Sequence, residues 1–239
     1  MNLPLPRAAI LAAWLGGWLR GDSSADDLLA HLDAGHADAV HVVTALPSRI
    51  DAIPLALALG DLRERGATGA AVALPVPGDP VGLRGPAAFN AAAIDQGEAV
   101  LVEGAGVGLV PVPVGGAVEW RCLPCAQPPW LDAAEEGRAL RQTLLDVTAD
   151  LVALDVASWQ PEIPDAVLNV RHRSPAPVPR TMSARDRETI DRAMLCLDVV
   201  ALARATAPGA LTAAEIRQRD EAIGRLDRAA RRAVVAICR

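Results

Sequence analysis

The sequence predicts an α+β fold: a mixed β-sheet with flanking helices, followed by an antiparallel helical unit. Three observations carry that expectation. Residues 1–127 hold several short β-branched or continuously apolar runs, the earlier ones separated by helical patterning and the last three by glycine turns. After Pro128-Pro129 the apolar spacing becomes helical and stays so to the last residues. At 239 residues the chain is long enough to bury a sizeable core. The expected division is therefore 1–127 for the sheet and 128–239 for the helices, packed together as one compact unit. A three-layer α/β arrangement is the alternative.

Pro4 and Pro6 delay the first helix, in which Ile10, Leu11, Trp14, Leu15 and Trp18 recur at helical spacing. Trp14 and Trp18 share a face and read as core. Gly21 closes this helix. Ser23 or Ser24 caps a second one, with Asp26 and Asp27 in its positive first turn and Leu28, Leu29 and Leu32 facing inward. Val40–Leu46 is the first strand. Ile50–Arg65 reads as a helix ended by Gly66, and Ala70–Val76 as a strand covered on both faces. A Pro/Gly loop, Pro77–Gly85, then leads to a short helix, about Pro86–Gln96. Glu98–Glu103, Val107–Val114 and Ala117–Leu123 form a meander joined by Gly104-Ala105-Gly106 and Gly115-Gly116.

In the helical part, Asp132 with Glu135 makes a capping box. Leu140, Leu144, Val147, Leu151 and Leu154 follow as a seam of coiled-coil type. A short helix is expected at Asp165–Val170 and a proline-rich connector at Ser174–Arg180. Ser183 with Asp186 opens the next helix, and Thr212 with Glu215 caps the last, whose inward face holds Ile216, Ile223, Leu226, Ala230, Ala233 and Ile237.

Composition narrows the function classes. No apolar run reaches the roughly 18–20 residues of a membrane span, so no membrane role is expected. The run Ala8–Leu19 reads as a buried helix of a cytoplasmic protein, with no signal-peptide cleavage pattern after it. The net charge of −6 is uneven. From Arg171 onward 14 of the 23 basic and 8 of the 29 acidic residues give +6, leaving −12 on the first 170. A basic helical pair docking on an acidic body accounts for this. The basic part lacks interleaved aromatics, which argues against a nucleic-acid partner. All basic residues are arginine and tyrosine is absent, the codon bias of a high-GC genome. The stretch LPVPGDPVGLRGPAAFNAAAIDQGEAVLVEGAGVGLVP, together with the capped terminal helices, resembles an uncharacterised actinobacterial protein family, a likeness that implies a source and no activity.

Four constellations are candidates for chemistry. Cys122-Leu123-Pro124-Cys125 has the spacing of a thiol redox motif, but Gln127-Pro128-Pro129 leaves no helix start to lower a thiol pKa. Gly104-x-Gly106-x-Gly108 follows a strand as a dinucleotide loop does, yet a strand and not a helix comes next, so hairpin glycines explain it better. His31, His36 and His41 do not share a helix face, His172 reads as a surface residue, and one CxxC supplies too few ligands for structural zinc; no metal and no cofactor is expected. The loop Pro77–Gly85 joins the carboxyl end of a buried strand to a helix, where open sheets place ligands. Asp79, Arg84, Phe89 and Asn90 are therefore the candidate ligand-binding residues, with Asp79 as acid/base or metal-side ligand and Arg84 as anion clamp. No nucleophile elbow, zinc-protease or Walker motif is present. The leading expectation is a non-enzymatic cytoplasmic interaction or scaffold protein, binding a second copy or another protein through its helical region. A small-molecule-binding protein or small enzyme using the 77–90 segment comes second, and a thiol redox protein third.

Overall fold

A computed structural model describes residues 3–34, 40–153, 175–205 and 212–239. The expected helix at 165–170, Leu154 of the expected seam, His36, His172 and Ser174 at the start of the proline-rich connector lie outside them. The described elements are α1 (Arg7–Arg20), α2 (Ala25–Ala34), β1 (Val40–Thr44), β2 (Ile53–Pro54), α3 (Leu55–Glu64), β3 (Gly69–Ala73), α4 (Ala87–Gln96), β4 (Ala99–Glu103), β5 (Val107–Val114), β6 (Ala117–Pro124), α5 (Ala133–Ala153), α6 (Ala184–Ala205) and α7 (Ala213–Ile237). The fold is α+β.

The six strands form one mixed sheet in the order β2-β1-β6-β5-β4-β3. Only β1 and β6 pair in parallel; every other neighbour is antiparallel, as the glycine-turn meander requires. By contact, the chain divides into two units. The sheet unit comprises Pro4–Trp130, Pro177–Ala184 and Val235–Arg239, and the helical unit comprises the described parts of Met1–Leu3, Leu131–Ala176 and Arg185–Val234.

In the sheet unit, β3 is buried along its whole length, and Ala99 to Val102 of β4 are too. Small side chains make this possible on both faces. Ala99 and Leu101 join Phe89, Ala93, Ala73 and Val110 in one core cluster under α4. Alternation sends Val100 and Val102 to the other face, where α1 lies against β3 and β4. The approach of α4 depends on Gly108, because a Cβ there would meet the Phe89 ring at 2.4 Å. Trp120, fully buried on β6, donates its indole N–H to His41 Nδ1 on the adjacent β1 at 3.1 Å, which satisfies the polar edge of a core tryptophan.

Two elements depart from the sequence reading. The expected helix from Ile50 begins only at Leu55, because Pro54 biases Ile53 toward extended backbone and Ile53 instead pairs with Val43 as β2. The expected strand to Val76 stops at Ala73, because the Leu74 N–H turns to the Val81 carbonyl at 3.0 Å. The tryptophan pair also separates. Trp14 is buried, donating to the Pro177 carbonyl at 2.9 Å and stacking on His31 at 4.0 Å, whereas Trp18 is half-buried beneath the Arg63 guanidinium at 3.6 Å.

The start of α1 has no side-chain cap of its own, since Pro6 occupies that position. Glu98 substitutes, its Oε2 accepting the Ala8 N–H at 2.8 Å. Burial pushes the Glu98 carboxyl above its ordinary value of 4.5, and neither that hydrogen bond nor the Arg7 charge fully offsets it. The folded state then holds a proton that the unfolded chain has lost, so stability falls as pH rises from 4.5 through the folded pKa. Glu98→Gln keeps an acceptor and removes the charge; urea unfolding from pH 4 to 7 is expected to show that fall flattened in the variant, and an unchanged slope would refute the assignment.

The glycines give a second test. Gly108→Ala should lower the unfolding free energy by about 1–3 kcal/mol through overpacking. Gly60→Ala, in α3 with open space around the added Cβ, should raise it by about 1 kcal/mol through helix propensity. Chemical unfolding of the two variants measures both signs.

Candidate functional site

The segment singled out from sequence is a packed turn. Asp79 N–H donates to Val76 O at 2.9 Å and Val76 N–H returns to Asp79 O at 3.1 Å, closing a bridge; Leu83 N–H to Pro80 O at 3.0 Å makes a second turn. Gly82, at φ +81°, seats this loop directly on β3, where a Cβ would come within 2.8 Å of Ala73 Cα and Val72 O. The four candidate residues have different surroundings. Phe89 is fully buried in the core cluster. Arg84 is exposed, its carbonyl accepting from Ala126 N–H at 3.1 Å. Asp79 is half-buried in the bridge. Asn90 donates from Nδ2 to Gly85 O at 3.1 Å, while its Oδ1 is buried with no hydrogen-bond partner.

The cysteine motif is built into the sheet. Cys122 is only 3% exposed on β6, and Leu123 and Cys125 pack against the Phe89 cluster. Cys125 N–H donates to Gly106 O at 3.1 Å, and irregular chain leads on to α5. The helix start that lowers a redox thiol pKa is not there. Burial instead pushes both thiols up to about 11, Cys196 to about 11 and Cys238 to about 12. Of the dinucleotide-like glycines, Gly104 and Gly106 form the β4–β5 turn at positive φ and Gly108 lies under Phe89. His31 Nδ1 contacts the Asp27 carbonyl at 2.7 Å, and His41 faces Trp120. Among the described residues no three metal-ligating side chains come together.

A concave site lies in the helical unit, between α5 and α7. Glu136, Ala139, Thr143, Asp146 and Val147 line it from α5; Arg225, Arg228, Ala229 and Arg232 line it from α7, around about 270 Å³. Each set recurs at helical spacing and so occupies one face of its helix. Two ion pairs set the helices against each other. The buried Glu136 carboxylate takes Arg232 Nε at 2.9 Å and also Arg232 Nη2, and Arg225 pairs with Asp150. Residue numbers rise along α5 as they fall along α7 through these pairs, so the two helices are antiparallel. Asp146 accepts from Gln142 Nε2 at 2.9 Å on its own helix. The sequence reading counted the arginines of this half only as net charge. The spacing of three and four from Arg225 to Arg228 to Arg232 was the available signal.

Residues 8–136 match the N-terminal domain of the Rv1486c-like protein family, and residues 134–235 match its C-terminal domain. The chain belongs to the Rv1486c-like family. No curated protein and no solved structure matches it. The boundary between the two family domains, near 134–136, falls at the first turn of α5. Membership in the Rv1486c-like family thus describes a two-part chain and brings no activity with it.

The thiol environments can be tested directly. A rise of about two units from the ordinary 9.0 makes the Cys122 and Cys125 thiolates roughly a hundredfold scarcer at pH 8. Ellman's reagent should therefore label them at least that much more slowly in the native protein than in urea. Rapid native labelling of Cys122 would reopen the redox reading.

Proposed function

We propose that this protein is a non-enzymatic interaction protein working in the cytoplasm of an actinobacterium, with the helical unit as the part that engages a second copy or another protein. The observation that carries the reading is a second apolar stripe on α5. Leu140 and Val147 are buried, as the inward seam requires, but Leu145 and Val152, seven residues apart, are 65% and 74% exposed. Residues seven apart lie on one helix face, the register of a helix–helix contact. On α6, Leu195 and Val199, four apart, are also exposed. Four large apolar side chains left in solvent at helical intervals support docking of another helical surface.

A second reading, binding of a small molecule, draws support from the α5–α7 cleft and from the unmade acceptor on Asn90. The cleft has the concavity and the polar groups that ligand sites use.

Size-exclusion chromatography with light scattering tests the interaction reading. The 24.9 kDa chain should run as a dimer or larger at tens of micromolar, and the double variant Leu145→Glu, Val152→Glu should run as a folded monomer. A wild-type chain monomeric at every concentration would exclude self-association through α5.

A further inference from the structure

One face of the sheet is covered over part of its width and open over the rest. Ala73, Ala99, Leu101 and Val110 of β3, β4 and β5 lie under Phe89 and Ala93 of α4. Alternation along β5 puts Val112 and Val114 on the side of Val110. Register then aligns Val40, Ala117 and Val114 in one row across β1, β6 and β5, and Val42, Glu119 and Val112 in the next. Thr44 Oγ1 donates to Glu119 Oε1 at 2.7 Å, as side chains of one face do. The alternate residues His41, Val43, Val118 and Trp120 are buried on the opposite face, whereas Val40 and Val114 are 51% and 53% exposed. Pro54 of β2, opposite Val42, is exposed as well.

The shape of this strip selects what can cover it. Three strands about 4.8 Å apart span roughly 10 Å, the diameter of one helix. Beside the strip α4 already stands one helix diameter above the sheet, so a flat sheet from another molecule is held off. A helix laid alongside α4 completes the layer. On the helical unit α5 carries a surface to match. Arg138, Leu145 and Val152 recur at heptad spacing with Arg141 beside them, and all four are exposed. The apolar pair on α6, Leu195 and Val199, presents less, at 37% and 43% exposure against 65% and 74% for Leu145 and Val152. Two α5 stripes complement each other poorly: in parallel Arg138 meets Arg138, and in antiparallel register about Leu145 it meets Val152. The strip instead offers these arginines a carboxylate, the part-buried Glu119, set between Val42 and Val112.

We propose that the open strip of β1, β6 and β5 is the seat for α5 of a second copy of this chain, with Leu145 and Val152 packing on its valines and the α5 arginines meeting Glu119. This rests on the reading of α5 as the association face and names the surface that α5 meets. The contact joins unlike surfaces, so two reciprocal contacts close a dimer and successive ones lengthen a chain.

Light scattering on size-exclusion peaks tests the pairing with two variants of the full chain. Val40→Arg, Val114→Arg breaks the strip, and Leu145→Glu, Val152→Glu breaks the stripe. Each alone should run as a folded monomer where the wild type associates, the strip variant binding at least about tenfold more weakly because like charges now face Arg138 and Arg141. An equimolar mixture of the two should recover a species of twice the chain mass, since each chain supplies the surface that the other lacks. Circular dichroism checks folding. If the double strip variant is unfolded, Val114→Arg alone, at the last position of β5, replaces it. A strip variant that associates like the wild type while the stripe variant does not, or a mixture that stays monomeric, overturns the proposal and leaves the interaction reading standing. A wild-type chain monomeric at every concentration removes both.

Discussion

The covering of one edge strand constrains much of the sheet unit. β3 ends the sheet, and among the described residues one of its margins faces no other strand. An exposed apolar edge of this kind is a template for unwanted pairing, and proteins cover or interrupt such edges. Here two remote segments do so. The Val72 N–H donates to the Cys238 carbonyl at 3.2 Å, so the residues after α7 supply a backbone partner. The 77–85 turn folds back on β3 with Gly82 against the Ala73 and Val72 backbone and Leu74 bonded to Val81. Arg239 then ties the end of the chain down, through Glu103 Oε1 at 2.7 Å, the Pro129 carbonyl at 3.1 Å and the face of Trp130.

This covering gives the glycines and prolines of the loop a structural role. A rich supply of glycine and proline after a buried strand serves close backbone approach as well as it serves a phosphate, and periodicity does not distinguish the two. Gly82 is needed because a side chain would strike β3, and Asn90 because its amide closes the Gly85 carbonyl at the start of α4. What periodicity does report is burial, and there it served well. The strand order of burial, the capping boxes at Asp132–Glu135 and Thr212–Glu215, and the inward seam through Leu140 and Val147 were all legible. Ile53 was not, since its pairing with Val43 is a contact over ten residues that no local pattern reveals.

The helical unit is held differently from the sheet. Glu136, Asp198, Arg219, Asp227 and Arg231 of this unit are all buried. Arg231 and Asp227 pair within α7, Arg219 reaches the Ala203 carbonyl on α6, and the Leu3 N–H meets Asp198 Oδ1 at 2.5 Å. Buried pairs of this kind contribute little net stability against apolar residues of the same size, because both partners lose hydration. The Glu136–Arg232 pair penalises alternatives: a shift of register between α5 and α7 leaves the Glu136 carboxylate buried without its partner. With so few large side chains to interdigitate, α7 relies on that penalty to hold its alignment.

The same alignment makes the cleft. Holding Arg232 on Glu136 places the arginine stripe of α7 opposite α5, and the small residues Ala139 and Ala229 between them leave space where bulkier side chains would have closed the seam. Had the seam been leucine throughout, the antiparallel pair would pack shut and the arginines would lie along its outer margin. Charge pairing therefore sets the register of α5 against α7, while small side chains leave the gap. A core assembled from alanine and arginine yields a lined cavity where one assembled from leucine would yield only packing.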